Sequence, residues 1–251
     1  RVLFRSGLTT LRFQNSASGE IGGVLDVTGF ATPNARGYVV VQSGADLKTN
    51  DIDLGRGGAS GQLGSLQVTG GGSSITMIGA ATLDIGAALG SQGELLVESN
   101  GIFNTGAGDT TVHPSGDIEI NGGTLNLNGE LIVDGGQVEQ TSGSLNMPAN
   151  GQITIQNNGD VIYDDTYRVD DGNTIDIDGF GSTWQSNYLM YVGFNSAGTL
   201  NVTGGADLTV DNNFYLGRNP GAHGSVMLGG SGATISAESS LYVGGGPSTA
   251  E

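Results

Sequence analysis

Carboxylates are concentrated between residues 160 and 178. Clustered carboxylate oxygens are the ligands that Ca²⁺ prefers, but the spacing fits no known calcium loop. An EF-hand loop anchored on Gly179 would begin at Thr174 and would place Gln185 where a bidentate Glu is needed. Two interpretations stay open, a region that binds Ca²⁺ or another ligand and a solvated acidic loop. This stretch holds seven of the 17 aspartates of the chain: Asp160, Asp164, Asp165, Asp170, Asp171, Asp176 and Asp178.

Aromatic residues share this part of the chain. Flat rings beside carboxylates suit sugars, because the ring packs on the sugar and the acids accept bonds from its hydroxyls. One interpretation is therefore a ligand or glycan site that includes Tyr163, Tyr167 and Trp184. In a second interpretation, Phe180 and Trp184 fill the core of a wide coil. The remaining aromatic residues of the region are Tyr188, Tyr191 and Phe194, and Tyr191 shares one outward repeat position with Tyr215 and Tyr242, which favours a plain aromatic ladder.

Catalytic signatures are weak. Asp164 and Asp165 could serve a glycosidase, which needs two carboxylates at a set separation, but adjacent residues of a strand point to opposite faces. His113 and His223 lie far apart with no third ligand suggested, so no zinc site is predicted. No phosphate loop or nucleophile motif is present. We expect no enzyme and no cofactor other than Ca²⁺; the alternative is a polysaccharide-active β-helix enzyme.

Charge and composition exclude several partners. The net charge of −17 repels nucleic acid and anionic membrane headgroups, whereas divalent cations and neutral glycans remain compatible with it. The absence of Cys excludes a disulfide framework and thiolate metal sites. No apolar run approaches the roughly 20 residues of a membrane span.

A short repeated phrase organises the chain. Gly-x-apolar-x-apolar occurs at Gly64, Gly93, Gly129 and Gly151, among other positions, and the copies that begin at Gly198 and Gly224 are 26 residues apart. Alternation at period two predicts half-buried strands, and Gly-Gly or Asn-Gly pairs predict the turns that end them. A phrase that returns every 20 to 50 residues indicates stacked repeats. We predict an all-β solenoid of roughly nine coils, without helices.

The sequence also predicts the segment and domain boundaries of the chain. Residues 1–6 match the translation of a sequencing adapter and are interpreted as non-native. Residues 7–251 are predicted to form a single β-solenoid domain, with an acidic, aromatic-rich interruption near residues 160–184. The chain ends in the spacer after Gly244, where the next phrase is due, so we expect the natural protein to continue.

The phrases from Gly179 to Gly205 resemble a known repeat. They are similar to the repeat shared by autotransporter passengers (type V secretion) and PEP-CTERM surface proteins. The matching pattern is Gly-x-Gly-Ser-x-Trp, followed by Val-Gly and then by Gly-x-Leu-x-Val-x-x-Gly. The resemblance is good from Gly179 onward, fair from Gly23 to Gly101 and weak from Gly106 to Asn158. It implies a right-handed parallel β-helix on the outside of a Gram-negative-type bacterium and transfers no catalytic residue.

Together these observations lead to a functional expectation. We expect a non-catalytic, exported surface protein that acts as a rigid stalk or adhesin scaffold and binds polysaccharide, or a host or neighbouring cell surface, weakly. Because a stacked solenoid exposes strand edges at its ends, end-to-end self-association into an extracellular filament or matrix is a further alternative.

Overall fold

The structure is a computed structural model that describes residues 2–3, 8–27 and 33–244. The protein is an all-β parallel solenoid of about nine turns, and its described residues contain no helix. They accordingly include no helix with the length and apolarity to cross a membrane. Of the six-residue head, only the backbone of Val2–Leu3 belongs to the described part, and residues 245–251 lie outside it.

The chain divides into two compact units, residues 1–146 and residues 147–251. Unit 1 is built from sixteen described strands: β1 Val2–Leu3, β2 Leu8–Phe13, β3 Ser18–Ile21, β4 Leu25–Asp26, β5 Arg36–Gln42, β6 Asp46–Thr49, β7 Ile52–Leu54, β8 Gln62–Thr69, β9 Ser74–Met77, β10 Leu83–Ile85, β11 Ser91–Glu98, β12 Ile102–Asn104, β13 Thr110–Val112, β14 Gly116–Asn126, β15 Leu131–Asp134 and β16 Gln137–Asn146.

The strands of unit 1 form two parallel sheets. The first runs β1-β4-β7-β10-β13-β15. The second has an early branch, β2-β5-β8-β11-β14-β16, and a late branch, β3-β6-β9-β12, which joins the second half of β14. The strands β14 and β16 are long enough to belong to both branches, and they pair with each other along nearly their whole length. Each of them therefore takes the place of the two separate strands found in an earlier coil. This accounts for the closer phrase spacing in this part of the sequence.

Unit 2 repeats a three-strand circuit. Its sheets run β17-β20-β23-β26, β18-β21-β24-β27 and β19-β22-β25-β28. Its strands are β17 Gln152–Gln156, β18 Asp160–Tyr163, β19 Tyr167–Val169, β20 Asn173–Asp178, β21 Thr183–Ser186, β22 Met190–Val192, β23 Ala197–Thr203, β24 Asp207–Val210, β25 Phe214–Leu216, β26 His223–Leu228, β27 Thr234–Ala237 and β28 Leu241–Val243.

In both units the core is a stack of equivalent side chains. In unit 1, Leu66, Leu95 and Ile118 are register partners on consecutive strands, and all three are fully buried. In unit 2, Gly224 pairs in register with Gly198, so the phrases 26 residues apart lie directly on one another. Alternating burial along the longer strands, as in β23 and β17, places one set of side chains inside and the other outside. The predicted solenoid is confirmed.

One glycine shows why the phrase begins with this residue. A Cβ on Gly93 would fall on the backbone of Gly86 and Leu54, where the coil turns from the first sheet into the second. Its φ is not in the left-handed region, so the requirement is close approach of two backbone segments and not an unusual dihedral angle. The first residue of the phrase therefore sets how tightly the corner closes.

The segment expected to interrupt the solenoid is part of the repeated circuit. Residues 160–184 contain β18, β19, β20 and the start of β21, each paired in parallel with the strand one coil further on. The acidic residues obscured this, because they occupy outward positions while Val161, Val169 and Ile175 fill inward ones.

Candidate functional site

The seven aspartates of the predicted ligand region are distributed around the circuit of unit 2. Because successive strands of the circuit belong to different sheets, the carboxylates do not converge on one point. Asp160 lies in β18, Asp164 and Asp165 in the turn after it, Asp170 and Asp171 in the turn before β20, and Asp176 and Asp178 in β20.

Most of these carboxylates bind neutral groups on the following coil. Asp176 accepts a hydrogen bond from the Asn201 amide at 2.6 Å, and Asp178 accepts one from the Thr203 hydroxyl at 2.6 Å. Both pairs are register partners of β20 and β23. Further pairs of the same kind are Asp160 with Thr183, Asp164 with Asn187, and Asp171 with Ser196. The acidic residues thus bridge consecutive coils.

Asp170 makes the most extensive of these bridges. Its carboxylate accepts the backbone N–H groups of Phe194 at 2.5 Å, Asn195 at 3.1 Å and Ser196 at 3.3 Å. A carboxylate that accepts several backbone N–H groups makes charge-assisted hydrogen bonds and fixes the turn that supplies them. Asp165 instead accepts the backbone N–H of the adjacent Thr166 at 2.6 Å.

This arrangement gives the calcium interpretation no geometric support. Within residues 8–27 and 33–244, no group of three or more His, Asp or Glu side chains is placed to hold a metal ion. Each of the seven carboxylates accepts at least one hydrogen bond from a hydroxyl, amide or backbone donor of the fold. Calcium binding stays a prediction from the sequence.

The three aromatic residues assigned to a glycan site are in the core. Trp184, Tyr167 and Tyr163 are only 0%, 4% and 6% exposed. The ring of Tyr167 packs edge-on against both others, with centroids 4.8 Å apart in each pair. Burial raises the pKa of the Tyr167 phenol well above its usual range. The burial of Trp184 agrees with the interpretation that this ring fills the core, and none of the three rings presents a face to a sugar.

The remaining aromatic residues of the region do not form a platform either. Phe180 and Tyr188 are 85% and 56% exposed, but Phe180 lies in the turn between β20 and β21, and Tyr188 lies in the turn between β21 and β22. Tyr191, Tyr215 and Tyr242 stack face to face, with centroids 4.8 and 4.7 Å apart and interplanar angles of 14° and 9°. The aromatic-ladder interpretation is confirmed, and the stacked faces leave mainly ring edges outward.

Two cations flank this ladder. The guanidinium of Arg168 lies 4.1 Å from the ring centroid of Phe194 and 5.9 Å from that of Tyr191. Arg218 lies 5.0 Å from the centroid of Tyr215. Cation–π contacts of this kind help to hold the rings in place. We call the three tyrosines Tyr191, Tyr215 and Tyr242 the tyrosine stack.

A polar face that the sequence analysis did not identify runs along the late branch of unit 1. The amide of Asn104 donates to Thr76 Oγ1 at 3.2 Å, Asn126 donates to Asn104 Oδ1 at 2.8 Å, and Asn146 donates to Asn126 Oδ1 at 2.9 Å. We call these four residues the amide ladder. Its sequence signal is the phrase Gly-(Ser/Thr)-Leu-Asn, which occurs at Gly123 and again at Gly143.

Carboxylates form a second outward group in unit 1, on the early branch. Asp117 is the register partner of Glu94, and Glu119 is the register partner of Glu139. Burial, and then repulsion by Glu94, Glu119 and Glu139, raises the pKa of Asp117 to about 6. Burial and neighbouring acids also raise the pKa of Glu119, and Glu98 contributes to that repulsion. We call these five residues the acidic face.

The first sheet of unit 1 carries a third polar column. Asp53 lies in register with Asp26 and Asp84, and its carboxylate forms an ion pair with Arg56 at 2.7 Å. Burial raises the pKa of Asp53, although the Arg56 guanidinium opposes this shift. His113 Nε2 lies 3.4 Å from Asp84 Oδ1. One cation thus compensates a nearly buried aspartate, which is the arrangement expected of a structural ion pair.

Comparisons with known proteins were made for the whole chain. No protein-family model matches it, and no curated protein matches it in sequence. One solved structure with a likeness is the crystal structure of the TibC-catalysed, hyper-glycosylated TibA fragment of residues 55–350. It is 14% identical, the match covers 96% of each chain, and the TM-score is 0.33.

Proposed function

We propose that this protein is a non-catalytic, exported bacterial surface protein that serves as a rigid adhesive scaffold. The observation that carries the proposal is the in-register stacking of the repeated phrase, which commits nearly every inward residue to one continuous core within each unit. Such repeats present long, regular outer surfaces suited to extended ligands. The resemblance of Gly179–Gly205 to autotransporter and PEP-CTERM repeats supports display on, or release from, the surface of a Gram-negative-type cell.

For weak glycan binding we propose the amide ladder. Each asparagine side chain has two N–H donors and an oxygen with two lone pairs, and the ladder bond uses one donor per asparagine and one lone pair of Asn104 and of Asn126. The remaining donors and acceptors recur at the strand spacing of about 4.8 Å. A neutral chain with many hydroxyl groups can both donate to and accept from such a row.

The charge of the protein favours a neutral ligand. The net charge of −17 disfavours approach of a polyanion, and the three asparagines of the ladder are themselves uncharged. An open groove lies in the same late branch next to the amide ladder. Its lining includes Ser18, Asp46, Lys48 and Ser74, together with Thr76 of the ladder. Its hydroxyl and charged groups extend the polar surface along the branch.

Binding to immobilised neutral polysaccharides and to whole cells tests the proposal. We expect saturable binding with no release of reducing ends. Changing Asn104 and Asn126 together to Ala should weaken binding about tenfold, because each lost hydrogen bond is worth about 0.5–1.5 kcal/mol. Asn219→Ala is the matched control, since Asn219 also makes an exposed amide–amide bond, to Asn195 at 2.8 Å, in unit 2. Equal binding by both variants would contradict the assignment of this face.

One observation favours a second candidate, glycoside hydrolysis at the acidic face. A carboxyl group whose pKa is raised to about 6, beside other acidic side chains, is suited to general acid catalysis. The test is incubation with polysaccharides, followed by measurement of new reducing ends. Activity that depends on Asp117 and disappears in Asp117→Asn would replace the scaffold proposal with an enzyme. Turnover that is unchanged in this variant would exclude the acidic face as the catalytic site.

A further inference from the structure

The tyrosine stack brings three phenols together on the outer surface of unit 2. Tyr215 is a register partner of both Tyr191 and Tyr242, so its ring has a tyrosine ring on each face. Exposure increases along the stack: Tyr191 is 9% exposed, Tyr215 is partly exposed and Tyr242 is 47% exposed. The outermost pair is therefore both stacked and accessible to a reagent from solution.

The stack is held by the fold and by its neighbours. The three strands β22, β25 and β28 are parallel, and their pairing fixes the spacing of the Cα atoms. Phe194 packs edge-on against Tyr191 with ring centroids 4.8 Å apart, and the guanidinium of Arg218 lies 5.0 Å from the ring centroid of Tyr215. Two phenols fixed face to face have a high effective concentration for reaction with each other.

From this geometry we propose that the tyrosine stack is an oxidative modification site, at which Tyr215 and Tyr242 couple to form a dityrosine. The oxidant is hydrogen peroxide acting through a haem peroxidase. Each phenol loses one hydrogen atom, as an electron and its phenolic proton, and becomes a phenoxyl radical. The two radicals join through a carbon–carbon bond between their ortho carbons.

The atoms and electrons of this step balance. After coupling, the hydrogen on each bonded ortho carbon leaves as a proton and a proton returns to each phenol oxygen, so both rings become aromatic again. The pair has lost two hydrogen atoms in total. The peroxide takes up these two electrons and two protons and leaves as two water molecules.

The product would join two consecutive coils covalently. Tyr215 lies in β25 and Tyr242 lies in β28, and these two strands contact each other through hydrogen bonds and packing. A covalent link between them restricts the unfolded chain in the way that a disulfide does. The chain contains no Cys, so this link would be of a kind that a disulfide cannot supply here. The chemistry stands apart from the adhesive function proposed above.

The test treats the whole chain with a haem peroxidase and hydrogen peroxide, and then digests it with a protease that cleaves after Asp and Glu. Cleavage after Glu238 separates the two tyrosines. The expected result is dityrosine fluorescence and a joined peptide pair whose mass is two hydrogens below the sum of its parts. Tyr215→Phe and Tyr242→Phe should each lower the yield of this product at least tenfold.

Two variants serve as controls. Tyr191→Phe keeps the outer pair and should keep the product. Tyr188→Phe removes a phenol that is 56% exposed but makes no ring contact with other described residues, and it should also keep the product. Far-UV circular dichroism before oxidation verifies that each Phe variant retains the strand content of the parent chain.

Three results would overturn the proposal. The first is an unchanged dityrosine yield in Tyr215→Phe with its fold intact. The second is a product found only between two chains, seen as a dimer on a denaturing gel with a yield that rises with protein concentration. A smaller than tenfold loss in both outer variants would likewise show that other tyrosines carry the reaction.

Discussion

The raised pKa of Asp117 in the acidic face predicts that the stability of the Asp117→Asn variant, relative to the parent protein, depends on pH. The pKa of Asp117 is about 6 in the folded protein and 3.8 in an ordinary aspartate, so folding disfavours the charged carboxylate. Well below pH 3.8 this carboxyl is protonated in both states. As the pH rises from about 4 to about 6, the unfolded chain ionises first, and the folded state loses stability until the two states are again equal in charge.

The magnitude follows from the size of that shift. Two pKa units correspond to about 3 kcal/mol, but the carboxylate is only half buried and its neighbours are screened by water. We therefore expect about 1 kcal/mol. Asparagine has the same shape and no charge. The variant should thus be about 1 kcal/mol more stable than the parent at pH 7 and nearly equal to it at pH 4.

Urea unfolding followed by far-UV circular dichroism, at several pH values from 4 to 8, measures this difference. Asp109→Asn is the matched control, because Asp109 is an exposed aspartate of the same unit. Its stability difference from the parent should show no comparable step between pH 4 and pH 6. Either of two results would refute the reasoning. The Asp117→Asn variant could be less stable than the parent at pH 7, or it could exceed the parent in unfolding free energy by the same amount at pH 4 as at pH 7.

Three further predictions concern packing and inter-coil bonds. Gly93→Ala should cost about 3 kcal/mol in unfolding free energy, since its Cβ meets backbone, whereas Gly71→Ala, with open space around it, should change stability by less than about 0.5 kcal/mol. Trp184→Ala should cost about 3–5 kcal/mol and Phe180→Ala almost nothing, because the two rings are 0% and 85% exposed. Asp170→Ala should cost about 1–3 kcal/mol, and hydrogen exchange should accelerate at the amides of residues 194–196; unchanged exchange there would contradict the role assigned to this carboxylate.

The repeated phrase made the fold predictable. Every Gly-x-apolar-x-apolar segment carries its own period of two, and copies such as those at Gly198 and Gly224 can bury their apolar side chains only by stacking. Local pattern and long-range packing therefore agree. The exception was the stretch from residue 160 to 184, where outward acids drew attention away from the inward apolar residues that continue the core.

The candidate sites were far less predictable. Composition alone cannot tell an aromatic residue in the core from one on the surface, which is why Trp184 and Tyr167 suggested a sugar platform although the core encloses them. The acids were assigned to a ligand because their partners, such as Asn201 for Asp176, lie one coil away, about 25 residues along the chain. Only the register of the coils shows that each of these carboxylates lies within hydrogen-bond distance of its partner on the next coil.

That register also affects how such a chain can change over generations. Gly224 occupies the position in its coil that Gly198 occupies in the coil before it. If residues 198–223 were deleted, Ala197 would be followed by Gly224, and β26, β27 and β28 would meet the strands that β23, β24 and β25 left behind. Recombination between repeats could thus shorten or lengthen the protein by whole coils, while the strands that meet at the new junction stay in register.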